Sequence, residues 1–111
     1  MEILFRNQKL QAQCESDRNR KRAFGDMADV LNRRLNDLAA ADCLEDTRHL
    51  PGRCHELTGN RKGQLAMRLS GNVRIVFQPA DDPVPTRDDG SLDWTRVKRI
   101  RVLEVKDYHD E

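Results

Sequence analysis

The spacing of apolar residues changes midway along the chain, and this change limits the folds that the chain can adopt. Between about residues 26 and 42, apolar side chains recur every three or four positions, as in a helix with one buried side. From about residue 53 they alternate with polar ones, as in a strand with one buried face. The sequence therefore predicts an α+β fold with a small, mostly antiparallel sheet.

The predicted elements are a short strand, two helices and then a run of strands. Met27, Leu31 and Leu38 lie on the apolar stripe of the more regular helix, and Asp26 is a suitable N-cap for it. Both helices are expected to pack on one face of the sheet. The predicted strands cover residues 2–6, 53–57, 64–69, 73–78 and a last segment from Val97 to about 105, and the helices cover 8–22 and 26–42.

The length of 111 residues predicts one domain, 1–111. No apolar run approaches the roughly 20 residues needed to span a bilayer, and the first residues lack the apolar core of a signal peptide. A cytoplasmic protein is expected. The three cysteines are an odd number without a Cys-x-x-Cys spacing, which indicates reduced thiols. A zinc site of Cys43, Cys54 and His55 would match no common structural pattern, so neither a metal nor a cofactor is expected.

Charge is unevenly distributed along the chain. Residues 1–78 hold 14 Lys and Arg against 10 Asp and Glu, which is a net +4, whereas residues 79–96 hold 2 against 5, a net −3. The second segment also contains three of the four prolines and reads as an acidic inserted loop, closed and anchored by Trp94. A basic body favours a nucleic-acid partner. The basic run 18–22 predicts either a solvated helix face or a contact with RNA phosphates.

Strand alternation predicts that arginines lie on the open face of the sheet. Ile75 and Phe77 would face the helices, so Arg74 points the other way, and Arg68 does so by the same logic from Leu69. An open sheet face that carries arginines can bind phosphates.

Cleavage of RNA without a metal requires a base for the 2′-hydroxyl, a cation for the phosphorane and an acid for the leaving oxygen. His55 and His109 can supply the base and acid, because imidazole exchanges protons near neutral pH. Arg74 and Arg61 can hold the phosphate. Asp107 can orient an imidazole or act as a base, and Tyr108 can stack on a nucleobase or donate a proton.

Each of these residues also has a simpler interpretation. A histidine at the start of a strand is usually an ordinary exposed side chain, a terminal Tyr-His is often a frayed tail, and strand arginines often form surface ion pairs of little energetic value. The pattern alone therefore does not establish a nuclease.

The chain resembles the RelE/ParE superfamily of bacterial toxins, in the HigB-like or plasmid maintenance killer branch. The order and spacing of the matching stretches cover most of the chain. These stretches are the strand ending Phe5-Arg6, His49-Leu50-Pro51 through Cys54-His55-Glu56-Leu57, Gly59-Asn60-Arg61-Lys62-Gly63, Leu69-Ser70-Gly71-Asn72-Val73-Arg74-Ile75-Val76-Phe77 and the terminal Asp107-Tyr108-His109.

The resemblance implies a RelE-like toxin of a type II toxin–antitoxin system that enters the ribosomal A site and cleaves translated messenger RNA without a metal. It also implies a cognate helix-turn-helix antitoxin, contact with operator DNA only through that antitoxin, and no membrane association. By this resemblance the active site comprises His55, Arg74, Asp107, Tyr108 and His109, and we expect Arg61, Lys62 and Arg68 to bind RNA.

Two positions depart from the family pattern. The lysine common three residues after the histidine is Thr58 here, so Arg61 or Lys62 would have to supply that cation from the adjacent turn. The aromatic residue that often follows the turn glycine is replaced by Gln64-Leu65. Two alternatives remain open, namely a ParE-like toxin that binds DNA gyrase without cutting nucleic acid, and a degenerate toxin that only binds its antitoxin.

Overall fold

The computed structural model describes residues 1–107 and contains five strands and three α-helices in that range. The predicted α+β class is confirmed. None of these helices is long and apolar enough to cross a membrane. The strands are β1 (Glu2–Phe5), β2 (His55–Glu56), β3 (Leu65–Ser70), β4 (Val73–Pro79) and β5 (Arg99–Asp107), and the helices are α1 (Gln8–Glu15), α2 (Asp17–Phe24) and α3 (Ala28–Ala40).

The five strands form one sheet in the order β1-β5-β4-β3-β2. β1 is parallel to β5, and every other pair is antiparallel, so the prediction of a mostly antiparallel sheet is confirmed. β5 carries a bulge, because Val76 is opposite Glu104 whereas the next residue, Phe77, is opposite Val102. The extra residue, Leu103, reverses which side chains of β5 face the helices from that point onward.

The core lies between the helices and one face of the sheet. Leu65 and Met67 of β3 and Ile75 and Phe77 of β4 are fully buried there, as strand alternation predicted. Burial of each such side chain stabilises the fold by about 1.5–3 kcal/mol. The helices contribute Leu10, Cys14, Leu31, Leu35 and Leu38 to the same cluster.

The helical half differs from the prediction in two places. The single helix expected at 8–22 is broken at Ser16, which ends α1 and caps α2 by accepting a hydrogen bond from the amide of Asn19 at 3.1 Å. Asp26 is not the N-cap of α3, because residues Gly25–Met27 form a 3₁₀ turn and α3 begins after them. The described range therefore contains three α-helices where two were predicted.

One residue of the basic run 18–22 has a structural role. Arg20 is only 6% exposed, donates a hydrogen bond to the carbonyl of Cys14 at 2.6 Å and pairs with Asp17. It thus fixes the corner between α1 and α2, while Arg18, Lys21 and Arg22 remain exposed. The basic run therefore forms a solvated helix face, except for the buried Arg20.

The strand bounds also need correction. β2 contains two residues where five were predicted. A 3₁₀ helix at Leu44–His49 lies in the stretch 44–52, which belongs to none of the predicted strands or helices. The last strand extends to Asp107, and the predicted site residues Tyr108 and His109 lie outside the described range.

The inserted loop 79–96 is anchored at both ends. Near its start, Asp81 accepts hydrogen bonds from the backbone amides of Lys98 and Arg99 at 3.0–3.2 Å. Near its end, Trp94 is 3% exposed and belongs to the main core, which confirms the predicted anchor. Asp93 caps the 3₁₀ turn Trp94–Arg96 by accepting a hydrogen bond from the amide of Thr95.

We expect the Trp94 end of this loop to loosen in acid. Hydrogen bonds from the Thr95 hydroxyl and from Arg96 lower the pKa of Asp93 from 3.8 to about 2. Because the folded pKa lies below the ordinary one, the stabilising contribution is complete above about pH 4 and is lost as the pH falls towards 2. Emission from Trp94, the one tryptophan in the sequence, should change across this window. The change should be smaller in Asp93→Asn, and equal changes in both proteins would contradict the assignment.

Candidate functional site

A groove of about 520 Å³ opens on the face of the sheet that points away from the helices. Its wall includes four arginines and one histidine, and none of the described residues that line it is acidic. Such a concentration of positive charge at one surface attracts anions, and phosphate above all. We call it the cationic groove, and its lining residues are Arg48, Gly52, Arg53, Cys54, His55, Arg68 and Arg74.

Strand pairing places three cations side by side on the outer face of the sheet, and two of them, Arg68 and Arg74, line the groove. Arg68 of β3 is opposite Arg74 of β4, and Arg74 is opposite Lys106 of β5. Neighbouring strands are about 5 Å apart, so the three side chains leave the sheet as a row. A sheet face that carries such a row can bind phosphates.

His55 lies at the sheet edge in β2, opposite Ala66, on the same face as this row. The side chain is exposed, and its Nδ1 lies 2.8 Å from the carbonyl oxygen of Arg53. A carbonyl oxygen can only accept, so Nδ1 carries the proton in this hydrogen bond. In the neutral ring Nε2 therefore holds the lone pair, which makes it the atom able to accept a proton.

A tight turn delivers Arg53 and His55 to the groove. Gly52 has φ +102° and Arg53 has φ +51°, a conformation that non-glycine residues adopt rarely. The carbonyl of Gly52 accepts a hydrogen bond from the amide of Arg68 at 2.8 Å. A Cβ on Gly52 would lie 2.9 Å from the carbonyl oxygen of Arg68, so only glycine allows the turn to sit this close to β3.

Arg48 also lines the groove. Its Nε donates to the carboxylate of Glu45 at 2.6 Å, and its guanidinium carbon lies 3.8 Å from the centre of the Trp94 ring. The Trp94 indole N–H in turn donates to the carboxylate of Glu56 at 3.0 Å. The groove wall is thus connected to the inserted loop through one aromatic ring.

Cys54 lines the groove but is not suited to act as a nucleophile there. Burial raises the pKa of its thiol to about 11, against the opposing effect of a hydrogen bond with Thr47. The thiol therefore stays protonated at neutral pH, and the thiolate is the reactive form. All three cysteines are free thiols, as predicted. Within residues 1–107, no three His, Cys, Asp or Glu side chains are grouped as a metal site.

Some predicted site residues lie elsewhere. Arg61 is not among the lining residues of the cationic groove, and it donates to Glu104 at 2.7 Å and to Gln64 at 2.9 Å beside it. Lys62 is exposed in the turn before β3. Asp107 is opposite Val73, a core-facing residue, so strand alternation turns its side chain away from Arg74.

Comparison with known proteins identifies the family. The chain is 32% identical over 82 residues to Toxin HigB-1 of Vibrio cholerae serotype O1, an alignment that covers 73% of this chain and 86% of that one. The chain belongs to the HigB-like toxins of the RelE/ParE superfamily. No family model matches it.

Solved structures show the same fold for this HigB-like toxin. The YoeB/ParE toxin from Agrobacterium tumefaciens superposes with a TM-score of 0.60 at 12% identity, covering 97% of this chain and 99% of that one. The YoeB–YefM complex from Staphylococcus aureus superposes with a TM-score of 0.56 at 15% identity, covering 96% of this chain and 94% of that one. At these identities the likeness is one of fold, and it confirms the RelE-like architecture expected from the sequence.

Three cations of the toxin were not among the predicted site residues. Arg48 lies in the stretch 44–52, where no periodicity indicates which way a side chain points. Arg53 was assigned to a strand but reaches the groove through its positive φ. Lys106 joins the row because the bulge at Leu103 reverses the faces of β5. Only the third carries a sequence signal, a cation three residues before the expected terminal histidine.

We expect Gly52→Ala to lower the free energy of unfolding more than the same substitution at another glycine with positive φ. Gly90→Ala is the matched control, because Gly90 also has positive φ (+87°) but nothing lies within 4 Å of its added Cβ. Both variants incur the backbone strain of alanine at positive φ, about 1–3 kcal/mol, and Gly52→Ala adds the collision with β3. Urea unfolding should show the larger loss for Gly52→Ala. Equal losses would mean that the turn is not held against β3.

Proposed function

We propose that this type II toxin is a ribosome-dependent endoribonuclease that cleaves translated messenger RNA without a metal, by attack of the 2′-hydroxyl on the adjacent phosphate. The observation that carries the proposal is the cationic groove, in which a proton-accepting His55 Nε2 shares one sheet face with Arg68 and Arg74. Membership of the HigB-like toxins supports the same assignment.

In the proposed reaction the RNA phosphate lies over the cationic row. Arg74 and Arg68 hold the non-bridging oxygens and stabilise the charge that builds up on the phosphorane. His55 Nε2 accepts the proton of the 2′-hydroxyl, which becomes the attacking oxygen. The bond from phosphorus to the 5′-oxygen breaks, and that oxygen takes a proton from an acid.

The terminal segment would complete the site. β5 brings Lys106 beside Arg74, and Tyr108 and His109 follow two and three residues later, outside the described range. We propose His109 as the acid and Tyr108 as the residue that stacks on a base. Asp107 is opposite the core-facing Val73 and is therefore given no step in the reaction. Arg61 and Lys62 would contact RNA phosphates further along the sheet face.

The proposed partners follow from the family. A cognate helix-turn-helix antitoxin would bind the toxin, and operator DNA would be contacted only through that antitoxin. One neighbour in fold, the YoeB–YefM complex from Staphylococcus aureus, was solved with a partner protein. The ribosome would present messenger RNA to the groove, and the protein would act in the cytoplasm.

The central test is substitution within the groove. His55→Gln removes the proton acceptor and Arg74→Ala removes a phosphate ligand, so each should lower cleavage by about 10²–10³-fold and relieve growth arrest on induction. Arg74→Lys should be intermediate, because it keeps the charge but loses the two-pronged contact. Cleavage is measured by primer extension on messenger RNA from induced cells. The control is Arg33→Ala, an exposed arginine on α3.

The same experiment separates the alternatives. Undiminished toxicity in both His55→Gln and Arg74→Ala would refute the assigned site. New 5′ ends absent from messenger RNA, together with loss of plasmid supercoiling, would instead identify a ParE-like gyrase inhibitor. A wild-type protein that binds its antitoxin but neither arrests growth nor cleaves RNA would be a degenerate toxin.

A further inference from the structure

We propose that the inserted loop 79–96 is a brace for the cationic groove, in which Trp94 is a positioning residue that holds β2 and Arg48 in place. His55 would owe its position to this brace. The effect on catalysis rests on the proposed function, whereas the effect on β2 does not.

β2 is poorly secured by the sheet alone. It has two residues, lies at the sheet edge and pairs only with β3 among the described strands. Both of its side chains, His55 and Glu56, are exposed, so little apolar burial holds the strand down. Short edge strands of this kind are marginal without a further contact.

Trp94 supplies that contact from the core. Its indole N–H donates to the Glu56 carboxylate at 3.0 Å, one residue from His55. The ring itself is 3% exposed and packs in the same cluster as Phe77 and Val97, so it is a fixed point. A hydrogen bond to a charged acceptor is among the stronger kind in proteins. Glu56 is thereby tied to the rigid interior rather than to another surface group.

The same ring also contacts Arg48, another residue that lines the groove. The Arg48 guanidinium lies 3.8 Å from the ring centre, within the range of a cation–π contact, and its Nε donates to the Glu45 carboxylate at 2.6 Å. Trp94 is therefore linked to two lining residues, to Arg48 directly and to His55 through the neighbouring Glu56. The positions of both residues depend on where Trp94 lies.

Hydrogen bonds within and beside the loop determine the position of Trp94. Asp93 caps the 3₁₀ turn that carries Trp94, and its amide donates to the carbonyl of Pro85 at 3.0 Å. Immediately after the turn, the carbonyl of Val97 accepts a hydrogen bond from the amide of Leu44 at 3.0 Å, which joins the loop to the 3₁₀ helix bearing Arg48. The loop thus has a mechanical connection to the groove.

The first test compares Glu56→Leu with Glu56→Gln. Glutamine keeps an oxygen that accepts from the indole N–H and removes the charge, whereas leucine removes both. Because Glu56 is exposed, both variants should fold. Amide hydrogen exchange at Leu57, whose N–H donates to the carbonyl of Gln64 at 2.9 Å, reports on whether β2 is held.

The brace predicts faster exchange at Leu57 in Glu56→Leu, near wild-type exchange in Glu56→Gln, and unchanged exchange in β4 in both. On translating ribosomes, the leucine variant should cleave messenger RNA about ten- to a hundredfold more slowly, with the loss in kcat rather than KM, because His55 is misplaced. The glutamine variant should retain most of the cleavage rate.

The second test uses a double-mutant cycle. Trp94→Phe keeps an aromatic ring for the core and for Arg48 but lacks the N–H donor. If the two residues act through their hydrogen bond, the effects of the two substitutions should not add. The Leu57 amide of the double variant should then exchange no faster than it does in the faster-exchanging single variant. Asp89→Ala, at the loop tip where its carboxylate accepts from Ser91, is the control and should match the wild type.

The outcomes distinguish the two proposals. Unchanged exchange at Leu57 in both Glu56→Leu and Trp94→Phe would refute the brace, whatever the activity. Faster exchange in a protein whose wild type cleaves no messenger RNA would support the brace and refute the nuclease. Equal cleavage by wild type and Glu56→Leu, despite faster exchange at Leu57, would show that β2 does not position the reacting group.

Discussion

The register of β3, β4 and β5 is the constraint on which the other features of this toxin depend. It places Leu65 and Phe77 against the helices, and the same pairing puts Arg68 beside Arg74 on the outer face. A slip of one residue would exchange the faces and bring these arginines into the core. Hydrophobic burial on the helix-facing side of the sheet therefore fixes the positions of the charged residues on the outer side. No further interaction is needed to align Arg68 with Arg74.

The turn beside the groove stores backbone strain. It holds Arg53, a non-glycine residue, at positive φ, and such a conformation costs on the order of 1–3 kcal/mol. The burial on the helix side offsets this cost, since several fully buried side chains contribute about 1.5–3 kcal/mol each.

Local patterns explain which parts of the structure the sequence could predict. The alternation of β3 and β4 indicated their faces correctly, and hence the outward direction of Arg68 and Arg74. The break at Ser16 was missed because residues 15–22 contain no apolar side chain, so no periodicity marks where one helix ends and the next begins; the Ser16 hydroxyl caps α2 there. Lys106 was missed because a bulge, which depends on the partner strand, reversed the faces of β5. The contacts of Trp94 with Arg48 and Glu56 join distant segments, so no local pattern contains them.

The parallel pairing of β1 with β5 has a consequence for how the toxin is made. Glu2 is opposite Arg99, and β5 lies between β1 and β4, so the first strand to be synthesised can take its place only after the last. Such non-local pairing slows folding, because a long loop must close before any contact compensates for its lost entropy. It also means that residues 2–5 have no partner strand until β5 has been synthesised, although they also contact α1 and α3, which are made early. The five-stranded sheet, and with it the row that ends at Lys106, can assemble only after β5 has been made.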